Sequence, residues 1–190
     1  MSKFISHKER VRLFGDLPYV TIKNPNIPNS FLVVVNSKWR HSNIVLMDIP
    51  QLNDILNGKK KYINRKIHRQ LQAVFEVLEH LQLMDRILTF NGTYVPRFKK
   101  GRNGSRGALD LSNHSWGTAI DLNAKWNGFG VPPAKKGTNG SLEELVDIFL
   151  DFGFLWGGLW GTPDGMHFEA ERILTEEEID LVKAKYLTNH

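Results

Sequence analysis

Ser112-Asn113-His114-Ser115-Trp116-Gly117-Thr118-Ala119-Ile120-Asp121, followed further along by Asp164-Gly165-Met166-His167, is the part of the chain whose reading decides the fold. Together the two stretches offer two imidazoles, one ligand-capable carboxylate and one spare acid. Three N/O ligands with a fourth position left open are the set a catalytic zinc needs, whereas structural zinc fills all four, mostly with cysteine. In one continuous strand His114 and Asp121 would stand about 23 Å apart at about 3.3 Å per residue, too far to share an ion whose bonds are about 2 Å long. The chain must therefore reverse between them, and Gly117 is the residue that tolerates the reversal.

After the turn, Thr118 to Asn123 alternates as a strand: Thr118, Ile120 and Leu122 on one face, Ala119, Asp121 and Asn123 on the other. Asp121 thus shares its face with a small neighbour, which leaves room for a metal and a substrate. A second short strand sets Met166, Phe168 and Ala170 against His167 and Glu169. Asp164 lies an odd number of positions from His167, so strict alternation would aim it at the opposite face. Gly165 relieves this by leaving Asp164 in the preceding turn, beside the metal but not bound to it. There a carboxylate can accept a proton from a water that zinc has acidified to a pKa of about 7, adding roughly 10² to 10⁴ in rate. A zinc hydrolase is the expectation.

The pattern S-x-H-x-x-G-x-A-x-D followed by D-x-x-H resembles the zinc D-alanyl-D-alanine carboxypeptidase and L-alanyl-D-glutamate endopeptidase family, which cleaves peptidoglycan stem peptides. The likeness extends through Asn91 to Arg97, Leu111 to Asn123, Trp126-Asn127, Gly153 to Gly158 and Asp164 to Glu169. It is loose over the first sixty residues. The resemblance implies that His114, Asp121 and His167 are the ligands of Zn2+ and that Asp164 is the catalytic acid/base. It also implies an arginine ahead of the first motif that binds the scissile carbonyl oxygen as it becomes an oxyanion. Arg97 in Tyr-Val-Pro-Arg is the nearest match, and a guanidinium suits developing negative charge; Arg40, Arg102 and Arg106 also lie upstream. Ser112 matches the serine before the first histidine, with a role in positioning substrate or the metal loop. Enzymes of the family acting on D-Ala-D-Ala commonly carry glutamate where this chain has Asp164, whereas the phage-type endopeptidases carry aspartate. The L-Ala-D-Glu bond is therefore the favoured target, with D,D-carboxypeptidase or dipeptidase activity as the alternative. From another class, the alternative is a non-catalytic zinc-containing module that binds wall polymer or nucleic acid; the spare acid and the incomplete ligand set speak for the enzyme.

The rest of the chain sets limits. Its 190 residues suit a single metallopeptidase domain, with residues 1–60 as an N-terminal elaboration and 61–190 as the catalytic core. With 41% hydrophobic and 24% charged residues the composition is that of an ordinary globular protein, and the absence of cysteine excludes disulfides and thiolate metal sites. The start lacks an apolar signal region and no stretch reaches membrane-spanning length. Cytoplasmic synthesis, a monomeric state and delivery to the cell wall by release or by another secretion system are expected. The net charge of +5 draws on Lys59, Lys60, Lys61, Arg65, Lys66 and Arg69, and on Arg97, Lys99, Lys100, Arg102 and Arg106. Such a surface is ordinarily a solvated face, and it would also attract an anionic wall polymer or stem-peptide carboxylates; no nucleic-acid partner is expected.

Apolar residues at Ile67, Leu71, Val74, Phe75, Leu78 and Leu81 mark a helix over residues 64–88. A second helix is expected from Ser141 to Phe152, with Ser141 as N-cap and Glu144 closing a capping box, and a third from Thr175 to about Lys185 on the same signature. Strands near 88–95, 118–123 and 166–170 complete an α+β plan, with further strands or irregular structure at Phe31–Val35 and Ile44–Met47 after an Asn/Pro-rich loop at 24–29. The resemblance implies the same class: a small central antiparallel sheet carrying the zinc site, flanked by helices, like the D-Ala-D-Ala peptidases and hedgehog domains. Gly101 to Gly107 reads as a loop beside the site, and Trp126 to Asn139 as a surface loop. Trp126 and Trp156, with Trp160, are candidates to line a substrate groove. His7, His41, His68, His80 and His190 lack a comparable context and read as surface or packing residues.

Overall fold

A computed structural model of the protein describes residues 4–27 and 30–188. In chain order the elements are α1 (His7–Phe14), β1 (Tyr19–Lys23), β2 (Phe31–Val35), α2 (Ser37–Asn43), β3 (Ile44–Leu46), α3 (Asn53–Leu56), β4 (Tyr62–Asn64) and α4 (Arg65–His80). They continue with β5 (Phe90–Gly92), β6 (Ala119–Leu122), α5 (Glu143–Asp151), β7 (Phe154–Trp156), β8 (His167–Ala170) and α6 (Glu176–Leu187). The strands form two antiparallel pairs, β1-β2 and β3-β4, and one four-stranded antiparallel sheet in the order β5-β6-β8-β7. This is the expected α+β plan.

The alternation anticipated for β6 and β8 is what divides the sheet's two faces. Ile120, Leu122, Phe154 and Phe168 point into the core, where Phe168 stacks on Phe149 of α5 at 4.1 Å between centroids. Phe149 in turn meets Phe75 of α4 edge-on at 6.3 Å. The α4 stripe of Ile67, Leu71, Val74, Phe75 and Leu78 is wholly buried, because residues three and four apart share one helix face. Phe14, Leu17, Val33, Met47, Ile49 and Leu52 from the first sixty residues join the same cluster. The opposite face of the sheet carries Asp121 and His167, directly paired across β6 and β8.

Several boundaries differ from the sequence expectation. The long helix stops at His80 and not near 88, because Gln82 takes a left-handed φ of 58° and Leu83 N–H bonds back to Leu78 O, a helix-ending arrangement that usually advertises itself with glycine. Ser141 does accept a bond from Glu143 N–H at 3.3 Å, but no capping box forms: Glu144 reaches away to Arg86 at 2.8 Å. The box at Thr175 is present with Glu178, as expected. The strand anticipated over 88–95 is confined to Phe90–Gly92 and broken by an irregular register against β6. The Asn/Pro-rich segment bends at residues 25–27; Pro28, Asn29 and His190 lie outside the described residues.

Candidate metal centre

His114 sits in a single 3-10 turn, Asn113–Trp116, between two devices that fix it. Ser112 caps the turn, its Oγ accepting from His114 N–H at 3.4 Å, and Gly117 closes it with a φ of 67°. A Cβ on Gly117 would come within 2.9 Å of Ile44 Cδ1 and 3.0 Å of Asn64 N, so conformation and space both demand glycine. Asn64, at the end of β4, holds the turn from below through its N–H to Gly117 O and its side chain to Trp116 O. Gly92 makes room from β5, where a Cβ would stand 3.2 Å from Asp121 Oδ2.

Three atoms converge. His114 Nε2 lies 3.2 Å from His167 Nδ1 and 3.2 Å from Asp121 Oδ1, which is 2.9 Å from His167 Nδ1. Four ligands around an ion with bonds of about 2.0 Å lie about 3.3 Å from one another, so this triangle is close to one face of a coordination tetrahedron. The other ring nitrogens face outward acceptors. His114 Nδ1 faces Thr93 O at 2.7 Å and must donate to it, and His167 Nε2 faces Glu169 Oε2 at 3.2 Å. With an N–H of each ring committed outward, His114 Nε2, His167 Nδ1 and an Asp121 oxygen are left facing one another, a donor set that suits a cation. Burial disfavours a charged His167, yet its bonds to Asp121 and Glu169 overcome this and push its pKa up to about 10. Burial likewise opposes the charge on Asp121, but hydrogen bonds from His114 and His167 hold its carboxyl far below the usual range.

Asp164 occupies the turn before β8, its O accepting from His167 N–H at 3.0 Å and its N–H donating to Gly157 O at 2.9 Å. Gly165 is required there for closeness, not for an unusual φ: a Cβ would stand 2.8 Å from Pro133 Cγ. Asp164 Oδ1 is buried without a hydrogen-bond partner. Burial first, and the charge of Asp121 second, raise its pKa, against the pull of His167, His114 and Arg97. A carboxyl of this kind beside an ion is suited to proton transfer.

Residues 106–170 match the family model described as D-alanyl-D-alanine carboxypeptidase. No curated protein and no solved structure matches the chain. The D-alanyl-D-alanine carboxypeptidase match takes in Ser112, His114, Asp121, Asp164, His167 and Glu169, and it ends with the last residue of β8. It points to a metallopeptidase, and the buried His114-Asp121-His167 group is able to hold a metal ion. Arg97 lies ahead of the matched segment. Its backbone is pinned to the metal turn, N–H to Ser115 Oγ at 3.0 Å and O receiving Ser112 N–H at 3.0 Å, while its exposed side chain acts electrostatically on Asp164. Two of the other upstream arginines have partners of their own: Arg106 pairs with Asp110 at 2.8 Å, and Arg40 lies over the Tyr62 ring at 6.0 Å.

The tryptophans expected in a substrate groove differ in their surroundings. Trp156 is 5% exposed, stacks on Phe168 and donates its indole N–H to Gly165 O at 2.7 Å, so it supports the Asp164 turn from the core side and does not line a groove. Trp126 is half-buried against Gly140, with Lys125 5.3 Å above its ring. Ser112 is a buried cap of the metal turn, which accounts for it without substrate. Trp160, in contrast, lies 5.5 Å from His167 between ring centroids. Sequence reasoning did not single out Thr93 or Glu169. For Glu169 the signal was present, since strand alternation sets it on the His167 face; for Thr93 the contact is made by a backbone carbonyl, which no side-chain pattern announces.

Proposed function

We propose that the protein is a zinc-dependent peptidase of peptidoglycan stem peptides, acting as one domain and as a monomer, with the L-Ala-D-Glu bond as its target. The observation that carries this is the convergence of three ligand-capable atoms, His114 Nε2, His167 Nδ1 and Asp121 Oδ1, at 2.9 to 3.2 Å, together with the buried Asp164, whose Oδ1 has no hydrogen-bond partner. His114 and His167 would hold zinc through Nε2 and Nδ1 respectively, and Asp121 through its carboxylate. Bound there, zinc supplies Lewis acidity toward the scissile carbonyl.

The chain's own groups do the rest. Asp164 takes a proton from the attacking water and delivers it to the leaving amine. Arg97, exposed at the rim, steadies the oxygen that becomes negative. Thr93 O and Glu169 keep the two imidazoles in the tautomers that leave a lone pair facing inward. Aspartate in place of glutamate at 164 favours the endopeptidase, while the description attached to the family match favours the D-Ala-D-Ala bond as second reading. No helix among the described residues is long and apolar enough to cross a membrane.

Purified sacculi incubated with the protein, with and without chelator, followed by mass spectrometry of new termini, decide between these bonds. New D-Glu amino termini support the endopeptidase, and released D-Ala supports the carboxypeptidase. Salt-sensitive binding with no released product would indicate the non-catalytic module instead.

A further inference from the structure

The N-terminal arm is joined to the metal centre through one carboxyl group. Ile5 N–H donates to Glu169 Oε1 at 2.7 Å, and the other oxygen of Glu169 receives His167 Nε2–H at 3.2 Å. Glu169 is wholly buried, so neither oxygen has water to fall back on. The arm is also clamped against the turn that bears His114. The Arg10 guanidinium lies 4.9 Å from the Trp116 ring centroid with Nη2 directed at Ile5 O, and Trp116 donates its indole N–H to Gly15 O at 3.0 Å. On the other side, Phe4 meets Trp160 edge-on, and Trp160 lies over His167.

An imidazole keeps a metal-ready lone pair only while an acceptor holds the proton on its far nitrogen. Glu169 plays that part for His167, and Ile5 N–H occupies the carboxyl oxygen that His167 does not use. Without the arm, one oxygen of a buried carboxyl would lose its Ile5 donor, and Glu169 would be free to turn. We propose that the N-terminal arm, Phe4 to Phe14, is a positioning element of the metal centre, acting through Ile5 N–H and Glu169 to hold His167 in its ligating tautomer. The inference rests on the metal reading of His114, Asp121 and His167.

Competition titration of zinc against a chromophoric chelator, on full-length protein, tests it. Glu169→Gln replaces one of the two accepting oxygens with an NH2 donor that faces either Ile5 N–H or His167 Nε2–H, so zinc affinity should fall about 10- to 100-fold. Ile5→Pro deletes the N–H and should weaken zinc by about tenfold, whereas Ile5→Ala keeps it and should stay within about twofold of the parent. In the unaltered protein, zinc should slow hydrogen exchange at the Ile5 amide, since coupling between two sites is reciprocal; this measurement stands whether or not Ile5→Pro folds. Equal zinc affinity in Ile5→Pro and Ile5→Ala, or exchange at Ile5 indifferent to zinc, overturns the proposal. Failure of the parent itself to bind zinc overturns the metal reading, a separate result.

Discussion

Asp164 and Gly117 show how much can rest on one residue. In the proposed mechanism Asp164 is a base and not a ligand, so replacing it with asparagine should leave zinc affinity near that of the parent while kcat falls by about 10² to 10⁴, the range general-base catalysis supplies. Parallel measurement of metal content and peptide release checks this, and a variant that keeps parental turnover would remove Asp164 from the mechanism. Gly117 acts through shape. Alanine there must adopt the left-handed φ of 67° and press on Ile44 and the backbone of Asn64, so urea unfolding should show a loss of about 1 to 3 kcal/mol. Ordinary stability in Gly117→Ala would mean that the His114 turn can relax elsewhere.

At the scale of elements, α5 and α6 are tied by Asp151, whose carboxylate accepts from Lys185 and from the Tyr186 hydroxyl. Burial opposes its charge, but these two bonds prevail and lower its pKa below 3.8. A carboxyl with a depressed folded-state pKa contributes stability that is present above 3.8 and is lost as pH falls through the lowered value. Asp151→Asn should therefore cost about 0.5 to 1 kcal/mol at neutral pH, since the pair is partly solvated, and should flatten part of the acid limb of stability. Denaturation midpoints of both proteins across acid pH would reveal it; parallel acid limbs would exclude Asp151 as a source. The capping box at Thr175 belongs to the same element, and Thr175→Ala should cost about 1 kcal/mol, read from the thermal midpoint.

For the molecule as a whole, the candidate metal site of His114, Asp121 and His167 lies on one face of the four-stranded sheet and the aromatic core of Phe75, Phe149, Phe154 and Phe168 on the other. The core is complete without an ion, so chelation should abolish peptide release yet leave far-UV circular dichroism and a cooperative unfolding transition in place. Loss of the transition on chelation would instead make the metal structural. The same two-sided sheet explains why the chain tolerates three acceptors in close opposition: burial of the α4 and α5 stripes against β6 and β8 holds the strands while His114, Asp121 and His167 converge.

Local signals in the chain reach far into this protein. Alternation in Thr118 to Asn123 and Met166 to Ala170 separates core from site, the apolar spacing of Ile67 to Leu78 marks α4, Thr175 with Glu178 starts α6, and Gly117 marks the reversal that brings His114 back toward Asp121. The alternation and the apolar spacing work because a side chain's direction follows from strand or helix period alone, the cap through its own hydrogen bonds, and the reversal through glycine's tolerance of positive φ. What they leave open is settled by partners distant in sequence. The end of α4 depends on a left-handed Gln82 with no glycine to announce it; Glu144 is drawn from its cap by Arg86; Trp156 is fixed beneath Gly165 and not in a groove. The tautomers of His114 and His167 depend on Thr93 O and on Glu169, itself held by Ile5 across 164 residues of chain. Which residues are able to bind the metal was thus legible in the sequence, because ligand chemistry belongs to the side chain. Which nitrogen of each ring faces inward was decided only by the tertiary structure, because a proton's place depends on the acceptor that folding puts beside it.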